Sequence, residues 1–364
     1  MRSQKMASPG SGSGGGNYAY ACARVKARKS SLLPHDTYPR LLNMDLSEIG
    51  RFIGEGQYRK EVDELSARYS GVDLIEVATY ANLARTYRSI LKFTKGELRD
   101  TVRLYLNRWD IWNFKTVMRG RTAGVGWPEV SEEIIPAGAF DLQLFSSVFS
   151  AAGNEEMVSV LRKASAAYGF EPVLLGLLDR KGALPGLAEL ENALEKEYYA
   201  RLLSTVPDNT TANRLFRNYL KVEIDVVNLK TLFKLKLENI PMERSSGLMM
   251  EGGEELEGPE LGKLLGIAGY DAFVGELAAK KTFSDLREPA QRARETGSLN
   301  GVLVALDRLL VQRARRFSHL YPLSVLPIID YLLRKKIEVD NLRTVARGKQ
   351  SGLPEDEIRG LLLL

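Results

Sequence analysis

The chain has 364 residues, which is enough for two or three domains of ordinary size. Hydrophobic residues make up 44% of it and charged residues 27%, a balance typical of a globular protein with a substantial core. A single cysteine excludes an intramolecular disulfide, and no run of eighteen apolar residues is present to cross a membrane as a helix.

The formal net charge of +5 is concentrated near the N-terminus. Residues 1–45 hold seven basic and two acidic residues, so the rest of the chain is balanced. A nucleic-acid-binding protein normally spreads a larger basic surface over its folded part, which argues against nucleic acid as a partner. The basic cluster at residues 24–29 could contact an acidic partner or lipid headgroups, or be solvated, and we favour solvation.

Helical patterns fill the chain from its first ordered residue onward. Residues 1–16 are rich in Gly and Ser and predict a flexible tail. Residues 245–258 combine acids with glycines and predict an exposed linker. Almost no alternation of period two occurs, so we predict an all-α fold. The predicted helices lie at 18–28, 45–54, 58–69, 73–92, 97–120, 140–151, 155–168, 187–203, 210–238, 259–281, 299–319, 324–347 and 354–364.

One ten-residue motif occurs three times. Each copy begins with an acid, has Asn at its fourth position, and continues with apolar residues at helical spacing and two bases four residues apart. Successive Asn positions are 115 and 113 residues apart, a period that fits a small helical domain. The copies run from Asp110 through Asn113 to Arg119, from Asp225 through Asn228 to Lys234, and from Glu338 through Asn341 to Arg347.

A second acidic position recurs in the long helix before each motif. Glu76 and Glu191 both precede their motif acid by 34 residues, and Asp307 precedes its own by 31. Two features held at nearly constant separation indicate triplication of a helical hairpin. We therefore predict three similar helical subdomains after the tail, covering residues 17–135, 136–250 and 251–364.

The acid and the Asn of each motif share one helix face because they are three residues apart. They could form a catalytic or metal site, but we favour a buried polar pair that fixes how each helix registers against its neighbour. Gly120 and Gly348 follow two of the copies and predict helix ends there. The basic pairs are more typical of a solvated face, although they could bind a partner. These pairs are Lys115 with Arg119, Lys230 with Lys234, and Arg343 with Arg347.

Signatures of catalysis and of metal or cofactor binding are absent from the sequence. His35 and His319 have no partner at ligand spacing, and Cys22 is expected to be a small core residue. The stretch 258–264 departs from a phosphate-binding loop, with three residues between its glycines instead of four and Leu in place of Ser or Thr. Trp109 and Trp112 are expected to pack in the core or between subdomains. We therefore predict no catalytic residue, no metal and no cofactor.

The order of these motifs resembles that of the C subunit of the archaeal and bacterial A/V-type ATP synthase, whose eukaryotic vacuolar counterpart is the d subunit. The resemblance runs from about residue 17 to the C-terminus, and its specificity lies in the threefold arrangement. The segments that carry it are Tyr18-Ala-Tyr20-x-x-Ala23-Arg24, Leu32-Leu33, Met44, Leu74-Ile75-Glu76-x-Ala78, Trp109-Asp110-x-x-Asn113-Phe-Lys115-x-x-x-Arg119-Gly120 and Ile135-Pro136-x-Gly138.

The resemblance implies a funnel-shaped, pseudo-threefold protein that is not catalytic. Members of the family sit on the cytoplasmic face of the membrane proteolipid ring and receive the D and F subunits of the central stalk. The membrane protein of the stator is a further candidate partner. Two alternatives stay open at this stage: a helical scaffold that binds proteins or RNA without rotary coupling, and an unrecognised all-helical enzyme.

Overall fold

The part of the chain that the structure, a computed structural model, describes folds into eighteen α-helices and contains no strand. The described residues are 16–169, 171–181, 186–240 and 246–364. The predicted all-α class is therefore confirmed, whereas the flexible tail predicted for residues 1–16 lies almost wholly outside the described residues. The first nine helices are α1 (Tyr18–Lys29), α2 (Thr37–Leu42), α3 (Leu46–Gly54), α4 (Arg59–Leu65), α5 (Gly71–Phe93), α6 (Gly96–Ala123), α7 (Trp127–Glu132), α8 (Leu142–Ser150) and α9 (Asn154–Tyr168).

The second half of the chain contains two further long hairpins and several short helices. Two 3-10 turns accompany them, at Ser246–Leu248 and Lys281–Leu286. The helices are α10 (Val173–Lys181), α11 (Leu187–Thr205), α12 (Thr211–Leu237), α13 (Pro259–Gly266), α14 (Tyr270–Ala279), α15 (Arg287–Thr296), α16 (Asn300–Leu320), α17 (Leu326–Gln350) and α18 (Glu355–Leu361).

Local sequence signals account for several helix starts. The Asp45 carboxylate accepts from the backbone N–H of Glu48, whose side chain accepts from Asp45 N in return, and this capping box begins α3. The Thr210 hydroxyl accepts from Asn213 N at 3.1 Å and begins α12. Such caps satisfy N–H groups that have no partner within the helix.

Some boundaries differ from the sequence prediction. The single helix predicted over 259–281 is broken between α13 and α14, where Gly269 has a φ of 84°. Helices α2, α7, α10 and α15 were not predicted, because short segments carry little periodic signal. Within the described part of the predicted exposed linker, Glu251, Glu254 and Glu257 are exposed, as expected. Met249, Met250 and Leu256 of the same stretch are buried, so the prediction is wrong for these apolar residues.

Gly120 and Gly348 are not the helix ends that the sequence predicted. Helix α6 continues to Ala123 and α17 to Gln350. Each glycine instead admits an apolar side chain from the next helix. A Cβ at Gly120 would collide with the Val130 side chain, and one at Gly348 would lie 2.6 Å from Ile358 Cγ1.

The long helices pack in a cyclic order. We call α6, α12 and α17, which carry the three motif copies, the motif helices, and α5, α11 and α16 the lead helices. Motif helix α6 packs on lead helix α11, α12 packs on α16, and α17 packs on α5. The last contact joins the C-terminal part of the chain to its N-terminal part. The buried apolar residues form one continuous core cluster across these helices. The division into three subdomains and their pseudo-threefold, funnel-shaped arrangement stay predictions.

Candidate functional site

Each motif asparagine exchanges two hydrogen bonds with the backbone of the residue 22 positions later. Asn113 Nδ2 donates to Ile135 O at 2.7 Å, and Ile135 N donates to Asn113 Oδ1 at 2.9 Å. The asparagine amide thereby satisfies both the backbone N–H and the backbone C=O of a residue that lies outside the helices. The same exchange, at 2.7–3.0 Å, joins Asn228 to Met250 and Asn341 to Leu363.

The acid of the first copy holds the segment that follows in the same way. Asp110 is fully buried and accepts hydrogen bonds from Ala139 N at 2.9 Å, Phe140 N at 3.1 Å and Asn107 Nδ2 at 2.9 Å. Gly138 makes this approach possible, because a Cβ at that position would collide with the Asp110 carboxylate.

The second copy repeats this arrangement. Asp225 is also buried, and its two carboxylate oxygens accept from the backbone N–H groups of Glu254, Glu255 and Leu256 at 2.9–3.2 Å. Gly253 stands where Gly138 stands in the first copy, and a Cβ there would also collide with the carboxylate. These contacts explain why the acidic stretch after Met250 is packed against the fold.

The third acid has a different set of partners. Glu338 Oε1 accepts from Tyr58 OH at 2.6 Å, Gln57 Nε2 at 2.7 Å and Lys335 Nζ at 2.8 Å, while Oε2 accepts from Leu33 N. Tyr58, Lys335 and Glu338 are all buried. The third copy therefore ties α17 to the N-terminal segment of the chain, with the buried Lys335 ammonium balancing the Glu338 carboxylate.

Burial dominates the ionisation of these groups. It raises the pKa of Asp110 to about 7 and that of Asp225 to about 6, although the hydrogen bonds each carboxylate accepts act in the opposite direction. Burial also lowers the pKa of Lys335, and the nearby Glu338 acts to raise it. A raised pKa is common in catalytic acids, but here the carboxylates are directed at backbone N–H groups and are closed to solvent.

The basic pairs of the motifs face the lead helix that follows in the cycle. Arg119 forms a two-pronged ion pair with Glu191, with both N–O distances at 2.6 Å, and Lys115 pairs with Glu195. Lys230 pairs with Asp307 at 2.7 Å. The third pair returns to the start of the chain, since Arg343 and Arg347 both pair with Glu76.

The recurring acids of the lead helices are thus the partners of the recurring bases of the motifs. Lys234 differs, because it is exposed and makes no ion pair with any described residue. Partner binding by these six basic residues stays a prediction, and five of them are engaged within the chain.

Sequence reasoning missed one partly buried ion pair between two motif helices. Arg108 Nη1 and Nη2 donate to the two oxygens of Glu223 at 2.8 and 2.7 Å, and Tyr198 OH lies 2.9 Å from Nη2. Arg108 and Glu223 each precede a motif acid by two residues, so the repeat itself could have signalled them. Their opposite charges at equivalent positions were the available clue.

The two tryptophans beside Asp110 have different environments. Trp109 is buried, as expected for core packing, but Trp112 is 50% exposed, so the packing expectation is wrong for Trp112. Cys22 is buried, as predicted, and its thiol lies 3.2 Å from Ser324 O.

The described residues contain no cluster of three or more His, Cys, Asp or Glu side chains arranged to hold a metal ion. Within the same part of the chain, no helix is long and apolar enough to cross a bilayer. The motif residues act on one another and on the backbone around them. They define a protein built from linked helical units whose recurring polar groups maintain its framework.

Comparison with known proteins identifies the family. The chain belongs to the ATP synthase (C/AC39) subunit family, whose model matches residues 21–361. It is 38% identical over 350 residues to the A-type ATP synthase C subunit of Methanococcoides burtonii, covering 96% of this chain and 94% of that protein. The same subunit of Methanosarcina acetivorans is 39% identical over 353 residues, with the same two coverages.

A more distant relative gives the same result. The A-type ATP synthase C subunit of Archaeoglobus fulgidus is 34% identical over 348 residues, covering 95% of this chain and 96% of that protein. The chain is therefore an ATP synthase subunit, and its partners are other subunits of that complex.

Proposed function

We propose that this chain is the non-catalytic central-stalk subunit that links the D–F stalk to the membrane proteolipid ring of an A/V-type rotary ATP synthase. In this role it lies on the cytoplasmic face of the cell membrane as a peripheral subunit. Rotation of the ring, driven by ion flow, passes through it to the catalytic head during synthesis. ATP hydrolysis drives the rotation in the opposite direction.

The observation that carries this proposal is the cyclic set of contacts between motif and lead helices in a member of this family. A part that transmits torque must resist shear between its units. We call the contact between a motif helix and the next lead helix a seam. Each seam combines helix packing with ion pairs, such as Arg119 with Glu191 and Arg347 with Glu76. The third seam also contains the buried group around Glu338. These connections favour a stiff body over a flexible linker.

The basic pairs support torque transmission from inside the chain. Because five of the six bases are paired with acids of the next lead helix, we propose that their first role is to join the repeats. Lys234 is the basic residue left for a contact with an acidic partner surface. Replacing Lys234 with Ala should weaken binding to such a partner without lowering stability. The Lys115→Ala change should lower stability first, through loss of the ion pair with Glu195.

The proposal is tested by reconstitution. The purified chain is mixed with the D–F stalk pair and, separately, with detergent-solubilised proteolipid ring, and each mixture is analysed by size exclusion and native mass spectrometry. We expect a one-to-one complex with the stalk pair and one copy of the chain on each ring. A ternary complex of all three components would support the linking role directly.

Two results would count against this function. If neither complex forms at micromolar concentration and low salt, the chain does not link the stalk to the ring. Salt-sensitive binding to RNA in parallel experiments would then support the alternative, an all-helical scaffold for RNA or proteins without rotary coupling.

A further inference from the structure

Two leucines, one at the end of α16 and one in the turn that follows it, are not covered by any part of the described chain. Leu320 is 56% exposed and Leu323 is 66% exposed, the highest values among the large hydrophobic residues of the described chain. Scattered exposed leucines are ordinary in soluble proteins. These two, however, lie three residues apart on one turn.

This turn is held in place, so the exposure of its leucines does not reflect a frayed end. Ser324 is buried, and its hydroxyl donates to Tyr321 O at 2.7 Å. The Cys22 thiol of α1 donates to Ser324 O at 3.2 Å. The next residue, Val325, is buried as well. The fold therefore presents Leu323 to solvent from an anchored backbone.

Basic side chains without acidic partners precede the leucines on the last turns of α16. Arg315, Arg316 and His319 are exposed on the last turns of α16, and none of the three makes an ion pair with a described residue. Farther from the tip on the same helix, Arg308 and Arg313 are likewise without an ion pair in the described chain. We call Arg315, Arg316, His319, Leu320 and Leu323 the α16 tip.

No acid of the described chain forms an ion pair with these five basic residues, although some acids lie nearby. Asp285 and Glu288 line a cavity of about 620 Å³ together with Arg308, Arg313 and Arg316. Glu288 already pairs with Arg292 at 2.6 Å. The helix macrodipole explains a preference for basic residues in the last turns, but it does not explain the exposed leucines beside them.

Exposed leucines close in sequence to unpaired basic side chains match the surface of an anionic bilayer. Apolar side chains enter the boundary between headgroups and acyl chains, while Arg and His remain among the phosphates. A nucleic-acid surface would use the basic residues but gives no role to Leu320 and Leu323. We propose that the α16 tip is a docking surface for the anionic headgroups of a phospholipid bilayer.

This inference goes beyond the proposed function, in which the chain reaches the membrane through another protein of the complex. A direct lipid contact would align the chain on the membrane before or during assembly. It is tested on the purified full chain without any partner, so its failure would leave the linking role intact.

The experiment measures co-sedimentation with vesicles of phosphatidylcholine alone and of phosphatidylcholine mixed with phosphatidylglycerol, at low and at physiological salt. We expect binding to the anionic vesicles only, weakened by salt. The double variant Leu320→Ser with Leu323→Ser should bind about tenfold more weakly. Arg315→Gln with Arg316→Gln should also bind about tenfold more weakly.

A matched control uses two exposed leucines from other parts of the surface. Leu142 and Leu353 are 42% and 38% exposed, and changing both to Ser should leave binding unchanged. Circular dichroism checks that every variant is folded. The proposal is overturned if the wild-type chain does not bind anionic vesicles at low salt. It is also overturned if the Leu320 and Leu323 variant binds as the wild type does, because binding would then be general electrostatic attraction.

Discussion

Asn228 and Met250 hold each other through two hydrogen bonds: Asn228 Nδ2 donates to Met250 O at 2.9 Å, and Met250 N donates to Asn228 Oδ1 at 2.7 Å. Both residues are buried. One side chain thus provides hydrogen-bond partners for both backbone groups of Met250, which lies outside regular secondary structure. The repetition of this exchange in all three motif copies makes it the contact that most directly links the sequence repeat to the structure.

Replacing Asn228 with Ala should destabilise the protein by about 3 kcal/mol, because two buried backbone groups lose their partner. The free energy of unfolding is measured by urea titration followed by circular dichroism. The control is Asn300→Ala, since Asn300 is exposed and its side chain makes no hydrogen bond in the described chain. Equal stability losses in the two variants would contradict the assigned role of Asn228.

Gly138→Ala should destabilise the fold by about 1–3 kcal/mol, because the new methyl group would push the backbone away from the Asp110 carboxylate. Gly262→Ala is the control, since a Cβ there meets no other atom within 4 Å and the residue lies inside α13. That control should gain up to about 1 kcal/mol from the higher helix propensity of Ala. Thermal unfolding of both variants distinguishes a steric cost from a general effect of glycine replacement.

The raised pKa of Asp110, about 7, predicts how its contribution to stability depends on pH. A carboxyl whose pKa is higher in the folded state favours folding fully below about pH 4, and this contribution is lost as the pH rises toward 7. Asp110→Asn cannot titrate. Its stability loss relative to wild type should therefore be about 2 kcal/mol larger at pH 5 than at pH 8.

Urea unfolding at the two pH values measures this difference for Asp110→Asn. The matched control is Asp208→Asn, because Asp208 is exposed and its carboxylate makes no hydrogen bond with a described residue. Asp208→Asn should change the free energy of unfolding by the same amount at both pH values. A cost of Asp110→Asn that grows with pH would show that the carboxylate is stabilised in its ionised form.

Removing the Lys335 ammonium should be costly, because it leaves the buried Glu338 carboxylate without its counter-charge. We expect Lys335→Met to lose about 3–5 kcal/mol of stability. Adding Glu338→Gln should recover part of that loss, since the double variant no longer buries a charge. Lys336→Met is the control, because Lys336 is partly exposed and pairs with Asp340 on the surface, and it should cost under about 1 kcal/mol. Additive costs for Lys335 and Glu338 would argue against their coupling.

The ion pair between Arg119 and Glu191 should contribute measurably to the seam between the first two repeats. A double-mutant cycle to Ala should give a coupling energy of about 0.5–1 kcal/mol, because the pair is two-pronged and Glu191 is only 21% exposed. The control cycle uses Arg59 and Asp63, which are 77% and 67% exposed and 3.6 Å apart. Its coupling should be near zero. Equal coupling energies for the two pairs would mean that the Arg119–Glu191 pair stabilises the protein no more than an ordinary surface ion pair does.

Local patterns in the sequence determined much of the secondary structure. Apolar spacing located the long helices, and Asp45 and Thr210 signalled helix starts that the structure contains. The three-residue spacing of Asp110 and Asn113 placed both on one helix face, where both are buried. Such features depend on contacts within one or two helical turns, so a single sequence is sufficient to reveal them.

Only the tertiary structure decided what these side chains contact. The partners of Asn113 are the backbone groups of Ile135, which no pattern of side chains can encode. The bases after each Asn pair with acids of the next lead helix, about 70–80 residues away or, for Arg347 and Glu76, 271 residues away. Gly120 does not end its helix but admits the Val130 side chain. These outcomes depend on how distant helices are placed relative to one another, and local propensity carries no information about that placement.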